Sequence, residues 1–252
     1  MTATPDIKEP IRVAIFADFV CPYSFLAVEQ IDRLSREYGV KPMWRPHWLH
    51  PDTPPEGCAR DTSADAAAKA ERRNAWLKEM APETYAKMRY PEKRQYSFRA
   101  FEALEFASDF DMDFPFTNAL YDLMWTEQRD IGETETLLAA AERIGLDSAE
   151  LKLALDENQY TERALNAVDQ ARRIGITNTP TIFLGRTRIN GWHYYEVLQS
   201  VLEKQGCLPL AAMVCWPSAD TSQSTKVCPS SVLTCGCLTG FTRITPYWLN
   251  NR

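Results

Sequence analysis

The chain has 252 residues, a formal net charge of −6 and a pI near 5.3. An acidic balance with no basic stripe gives no electrostatic footprint for nucleic acid, and no apolar run approaches the ~20 residues that a membrane span needs. Met1 to Pro10 carries Asp6 and Glu9 and no basic-plus-apolar leader pattern, so the expected location is the cytoplasm.

Val13 to Ala17 is an almost continuous apolar run, as in a strand buried on both faces. From Pro22, apolar Phe25, Leu26, Val28, Ile31 and Leu34 mark one face of a helix that ends near Gly39, a left-handed cap. Val40 to Leu49 alternates loosely and reads as a second strand. Pro51 to Gly57 holds three prolines and a glycine and reads as a loop. Ser63 to Arg173 is helical in pattern throughout, with helices expected over Ala64 to Met80, Ser97 to Phe110, Phe114 to Gln128, Glu133 to Ile144, Ser148 to Asp156 and Tyr160 to Ile174. Ile182 to Leu184 and Thr187 to Ile189 then read as two strands about a Gly185-Arg186 turn, followed by a last helix.

Between the first strand and first helix stands Cys21-Pro22-Tyr23-Ser24. A cysteine at a helix N-terminus meets unpaired backbone N–H groups and the positive end of the helix dipole, and both are expected to favour the nucleophilic thiolate. A strand followed by Cys-x-x-Cys is a thioredoxin-like redox pattern, but here Ser24 replaces the second cysteine. Far downstream, Gly175-Ile176-Thr177-Asn178-Thr179-Pro180-Thr181 leads into the third strand. An X-Pro bond is the common place for a cis peptide, and a cis Thr179–Pro180 could turn its backbone toward the thiol and pair with an extended substrate or with glutathione.

With those elements in order, the chain resembles the DsbA-like thioredoxin-fold family, most closely its cytosolic FrnE-type branch, from about Val13 to Leu202. The resemblance rests on Asp18-Phe19-Val20-Cys21-Pro22, the His50 to Gly57 loop, Arg129-Asp130-Ile131-Gly132, Gly175 to Thr181, and Gly191 with Tyr195-Glu196-Val197-Leu198. It implies an α/β thioredoxin fold with a large all-helical insertion domain. Expected boundaries are 11–60 and 174–205 for the two parts of the thioredoxin fold, 61–173 for the insertion, and 206–252 for a poorly ordered tail rich in Cys, Ser and Thr. Relatives include kappa-class glutathione transferases and 2-hydroxychromene-2-carboxylate isomerases, in which a serine typically stands where this chain has Cys21. Those relatives usually carry an acid where this chain has His193. The resemblance leaves a homodimer open.

Thiol–disulfide exchange is the activity implied, with Cys21 and Ser24 as catalytic residues and Pro22, Tyr23, Thr179 and Pro180 at the substrate. Cys21 can attack a disulfide, but Ser24 cannot resolve the resulting adduct. An external thiol, glutathione first among them, is therefore expected to release it. Glutathione would be a co-substrate; no tightly bound cofactor and no metal site are expected. Protein or small-molecule disulfides are the expected partners, with neither nucleic acid nor membrane. One alternative is a glutathione-dependent transferase or isomerase of aromatic small molecules; another is a binding module that has lost turnover.

Of the seven cysteines, Cys207, Cys215, Cys228, Cys235 and Cys237 fall in the last 46 residues and read as free thiols in a reducing compartment. Cys58 reaches the site only if its loop folds back over it. His47 and His50 flank Trp48 and Leu49, and each is either a strand-end residue or a proton carrier. Trp44, Trp48, Trp76, Trp125, Phe101 and Phe116 are expected to fill the space between insert and core, with some lining a groove that faces Cys21.

Overall fold

The computed structural model describes residues 11–213. Its elements run β1 Val13–Ala17, α1 Pro22–Tyr38, β2 Pro42–Pro46, β3 Cys58–Ala59, α2 Ala64–Met80, α3 Pro82–Lys87, β4 Lys93–Arg94, α4 Phe98–Asp109, α5 Asp113–Trp125, α6 Thr134–Arg143, α7 Ser148–Asp156, α8 Thr161–Arg173, β5 Thr181–Leu184, β6 Thr187–Asn190, α9 Tyr195–Lys204 and α10 Leu210–Met213.

The sheet order is β2-β1-β5-β6, with β1 parallel to β2 and antiparallel to β5. This is a thioredoxin fold. Every residue of β1 is buried because the sheet is covered on both sides. Val13, Ile15 and Ala17 face the main core, while Ala14 and Phe16 pack with Ala171 and Ile176 on the opposite face, as the two-residue side-chain period of a strand requires. β2 is an edge strand bracketed by Pro42 and Pro46, where a missing N–H costs no inner ladder bond, and it is shorter than the span expected from Val40 to Leu49.

α1 begins with Pro22 at a position whose N–H has no helical partner, and ends at Gly39 (φ 65°), whose N–H donates to Ser35 O at 2.9 Å. Between β2 and β5 lies the helical insertion. α4 is its buried centre, with Phe98, Phe101, Leu104 and Phe106 all in the core. Two buried acids on α4 are compensated from α8: Glu105 pairs with Arg163 at 2.6 Å, and Glu102 accepts a bond from Thr161. Asp113 of α5 accepts from Trp44 N at 3.0 Å and so ties the insertion to β2.

One short strand interrupts the helices of the insertion: Arg94 and Lys93 of β4 pair antiparallel with Cys58 and Ala59 of β3, which lies just before the insertion. Neither this pairing nor α3 was expected from the pattern. Near the C-terminus of the described region, α10 forms beyond residue 205, and the Leu210 side chain lies 3.4 Å from where a Cβ on Gly39 would stand. The remaining stretch of the expected tail, with Cys215, Cys228, Cys235 and Cys237, lies outside the described residues. Among the described residues no helix is long and apolar enough to cross a membrane.

Candidate functional site

Cys21 is the residue that caps the N-terminus of α1, in extended backbone conformation (φ −89°, ψ 117°). Its backbone is fixed on both sides: Cys21 N donates to Asp18 O at 3.1 Å, and Cys21 O accepts from Phe25 N at 3.1 Å. The Thr179–Pro180 bond is cis, and the Cys21 thiol donates to Thr179 O at 3.5 Å across 158 residues of sequence. The first helix and the approach to β5 therefore meet at the sulfur.

The segment leading to Cys21 is held from behind by α5. The Tyr121 hydroxyl donates to Asp18 O at 3.0 Å, and Trp125 Nε1 donates to Phe19 O at 2.9 Å. The Trp125 ring also stacks on Phe25 of α1, with centroids 5.8 Å apart. Two buried side chains of the insertion thus position the loop that carries the thiol. Replacing Tyr121 by Phe is expected to lower stability by about 1 kcal/mol, the usual net worth of one such bond, in denaturant unfolding.

Asp18, wholly buried, is a site residue that pattern alone did not single out. Its carboxylate accepts from Leu49 N at 2.8 Å and from Val20 N at 3.3 Å, joining the ends of β1 and β2. Burial raises its pKa from 3.8 to about 6, against the lowering effect of those hydrogen bonds. The folded state therefore binds a proton more tightly than the unfolded chain, and stability falls as pH rises from about 4 to about 6. The contribution is about 3 kcal/mol, and it should appear as a difference in the pH dependence of unfolding between wild type and Asp18→Asn.

The sulfur's ionisation differs from the expectation. Burial pushes the Cys21 thiol above its ordinary range, against the lowering influence of the Thr179 and Ser24 side chains and then of the Ser24 and Tyr23 amides. Desolvation outweighs the helix terminus, so the resting residue is a thiol bonded to Thr179 O and not a thiolate. It is 5 % exposed, and that exposure opens onto a cavity of about 430 Å³. Pro22, Tyr23 and Thr179 line the same cavity, as do His50 and Trp125. Burial, then the Arg94 guanidinium, lowers the His50 pKa, which keeps that imidazole neutral near pH 7.

Other expected site residues do not line the cavity. Ser24 is fully buried one helical turn beyond the sulfur. Pro180 is buried, and its carbonyl accepts from Gly191 N at 2.7 Å. His47 and Cys58 are not among the lining residues, and His193 precedes α9 with its ring 3.1 Å from Asn190 O. Of the aromatic residues, Trp125 reaches the cavity, Trp76 packs edge-on against Tyr23, and Trp44, Phe101 and Phe116 are core. Three arginines, Arg60, Arg73 and Arg94, also line the cavity and were not anticipated.

Residues 12–203 match the family model described as "DSBA-like thioredoxin domain". The protein YwbO of Bacillus subtilis (strain 168) is 23 % identical over 201 residues, covering 77 % of this chain and 97 % of that protein. Among solved structures, a 2-hydroxychromene-2-carboxylate isomerase superposes with a TM-score of 0.60 at 22 % identity, over 77 % of this chain and 94 % of that one. The cytosolic disulfide reductase DsbM from Pseudomonas aeruginosa, solved with GSH, gives a TM-score of 0.57 at 12 % identity, over 78 % and 100 % of the two chains. These likenesses describe the fold.

Proposed function

The chain belongs to the DSBA-like thioredoxin domain family, and from that premise we propose that it is a thiol–disulfide oxidoreductase using Cys21 as its single site cysteine. The observation that carries this reading is the position of the Cys21 sulfur: at the start of α1, beside Thr179 O, on the wall of a cavity, with a serine where a second cysteine would resolve it.

In the first step Cys21 attacks one sulfur of a bound disulfide. A Cys21–S–S–R bond forms, the R–S–S–R′ bond breaks, and the thiol proton leaves with R′S⁻ as R′SH. Proton loss also frees Thr179 O from the thiol. The amides of Ser24 and Tyr23 and the Ser24 hydroxyl stabilise negative charge on sulfur as it develops. In the second step an external thiol attacks the adduct, leaves as a new mixed disulfide and returns Cys21 to the thiol. Glutathione is that thiol in this reading, in line with a cytoplasmic location and with DsbM, a cytosolic disulfide reductase solved with GSH. Ser24 modulates the sulfur and does not exchange.

Steady-state reduction of a small mixed disulfide by glutathione tests it. The expected result is ping-pong kinetics, with the second half-reaction first order in glutathione. Turnover independent of any external thiol would overturn the monothiol mechanism.

A second reading, a glutathione-dependent isomerase or transferase of aromatic small molecules, is favoured by Tyr23, Tyr90 and Trp125 in the cavity wall and by the likeness to the chromene isomerase. It requires turnover of an aromatic electrophile with glutathione, which the oxidoreductase reading does not.

A further inference from the structure

Part of the cavity wall comes from α2, from β4 and from the residue after β3, and helical periodicity revealed neither strand. Arg60 directly follows β3, Arg94 ends β4, and Arg73 lies on α2; all three are half-buried and line the cavity with Cys21. The β3–β4 pairing sets Arg94 opposite Cys58. Gly57 (φ 77°) makes the close approach, since a Cβ there would stand 2.6 Å from Arg94 O.

These cations are poorly compensated. No Asp or Glu is among the residues lining the cavity. Among the described residues neither Arg60 nor Arg73 has a carboxylate partner, and Arg94 has only Asp52 at 3.9 Å, with the Asp52 side chain 77 % exposed. Arg60 instead donates through Nε to Pro91 O at 2.8 Å, Arg73 donates to Asn74 Oδ1, and the Arg73 guanidinium lies 4.7 Å from the Tyr90 ring centre. Burial, then repulsion from Arg73, lowers the Arg60 pKa, a sign of charge held against its own preference. Three half-buried guanidinium groups lining one cavity, with a single distant and exposed carboxylate among them, cost stability, and an anionic ligand would relieve that cost.

We propose that the Arg60–Arg73–Arg94 wall selects small-molecule disulfides carrying two or more carboxylate or phosphate groups, holding the anionic arms while the disulfide faces Cys21. This rests on the exchange chemistry proposed above and names its substrate class. The step is Cys21–SH + R–S–S–R → Cys21–S–S–R + R–SH, with no further oxidant or reductant.

The test measures second-order rates of adduct formation at Cys21, by mass spectrometry, with oxidised glutathione, coenzyme A disulfide, the neutral hydroxyethyl disulfide and the cationic cystamine. The expected result is at least about a tenfold preference for the anionic over the neutral reagent, cystamine slowest, and a preference that shrinks as salt is raised. Faster reaction with coenzyme A disulfide would assign phosphate arms, and faster reaction with oxidised glutathione carboxylate arms. Arg60→Gln, Arg73→Gln, Arg94→Gln and their combination should each lower the anionic-to-neutral ratio, with folding checked by thermal unfolding. Equal rates for all four reagents, or ratios unchanged in the variants, would overturn the selectivity while leaving exchange at Cys21 intact. Failure of Cys21 to react with any disulfide would overturn the exchange reading, and the selectivity with it.

Discussion

Replacing Cys21 by Ala is expected to lower the proposed glutathione-dependent disulfide reduction by at least about 10³-fold, the scale on which deletions of a nucleophile act. No other described cysteine substitutes for it: Cys58 and Cys207 do not line the cavity. The same variant keeps its fold, because the sulfur donates one long bond to Thr179 O and the backbone of the segment is held by Tyr121, Trp125 and Asp18. Activity lost with folding retained, measured by near-UV circular dichroism beside the rate, separates a chemical role from a packing one. A Cys21→Ala protein that still turns over would place the chemistry elsewhere.

Ser24→Cys has the opposite character. Its side chain lies in the first turn of α1, close enough to the Cys21 sulfur for the present hydroxyl to influence its ionisation. A thiol there attacks the Cys21 adduct from within the molecule, and such intramolecular attack outpaces an external thiol through its effective concentration. The adduct's lifetime at a fixed glutathione concentration is expected to shorten about a hundredfold or more. An internal disulfide between positions 21 and 24 accumulates in its place, and the variant gains the ability to oxidise dithiols. The change is checked by rapid-quench mass spectrometry of the single-turnover reaction. An adduct as long-lived as in the wild type would mean that position 24 cannot reach the sulfur and that Ser24 has no bearing on resolution.

What was legible in the sequence came from strong local periodicity. β1 is a five-residue apolar run, α1 lies between Pro22 and a left-handed Gly39, and α7 spans Ser148–Asp156 as its stripe indicates. The meeting of Cys21 with Thr179 was readable as two separated motifs, although only the fold gives their distance. The rest depended on quantities that no local pattern carries. Two-residue strands such as β3 and β4 are too short to show a period, so nothing local in the sequence brings Arg60, Arg73 and Arg94 together. Asp18 gave a faint signal, an acid between Ala17 and Phe19 in an otherwise apolar run, but its burial is set by Leu49, Ser97 and Tyr121 from distant segments. The ionisation of Cys21 departs from the sequence expectation for a related reason: the helix terminus can be read from sequence, whereas the desolvation that outweighs it comes from the packed surroundings.

That raised pKa has a functional meaning in the proposed cycle. A resting thiol bonded to Thr179 O is protected from indiscriminate oxidation, and developing charge on sulfur is stabilised by the amides of Tyr23 and Ser24 only as the disulfide is attacked. The alkylation rate of Cys21 by a small neutral reagent should accordingly keep rising with pH beyond the range of an ordinary free thiol.

The most direct measurement is peptide mapping by mass spectrometry after the folded protein has been exposed to oxidised glutathione. The expected result is one glutathione on the peptide containing Cys21, persisting until an external thiol is added and then removed from it. Cys21 left unmodified while Cys58 or Cys207 carries the adduct, or a direct disulfide between Cys21 and another cysteine of the chain, would contradict a single exchanging sulfur at the start of α1.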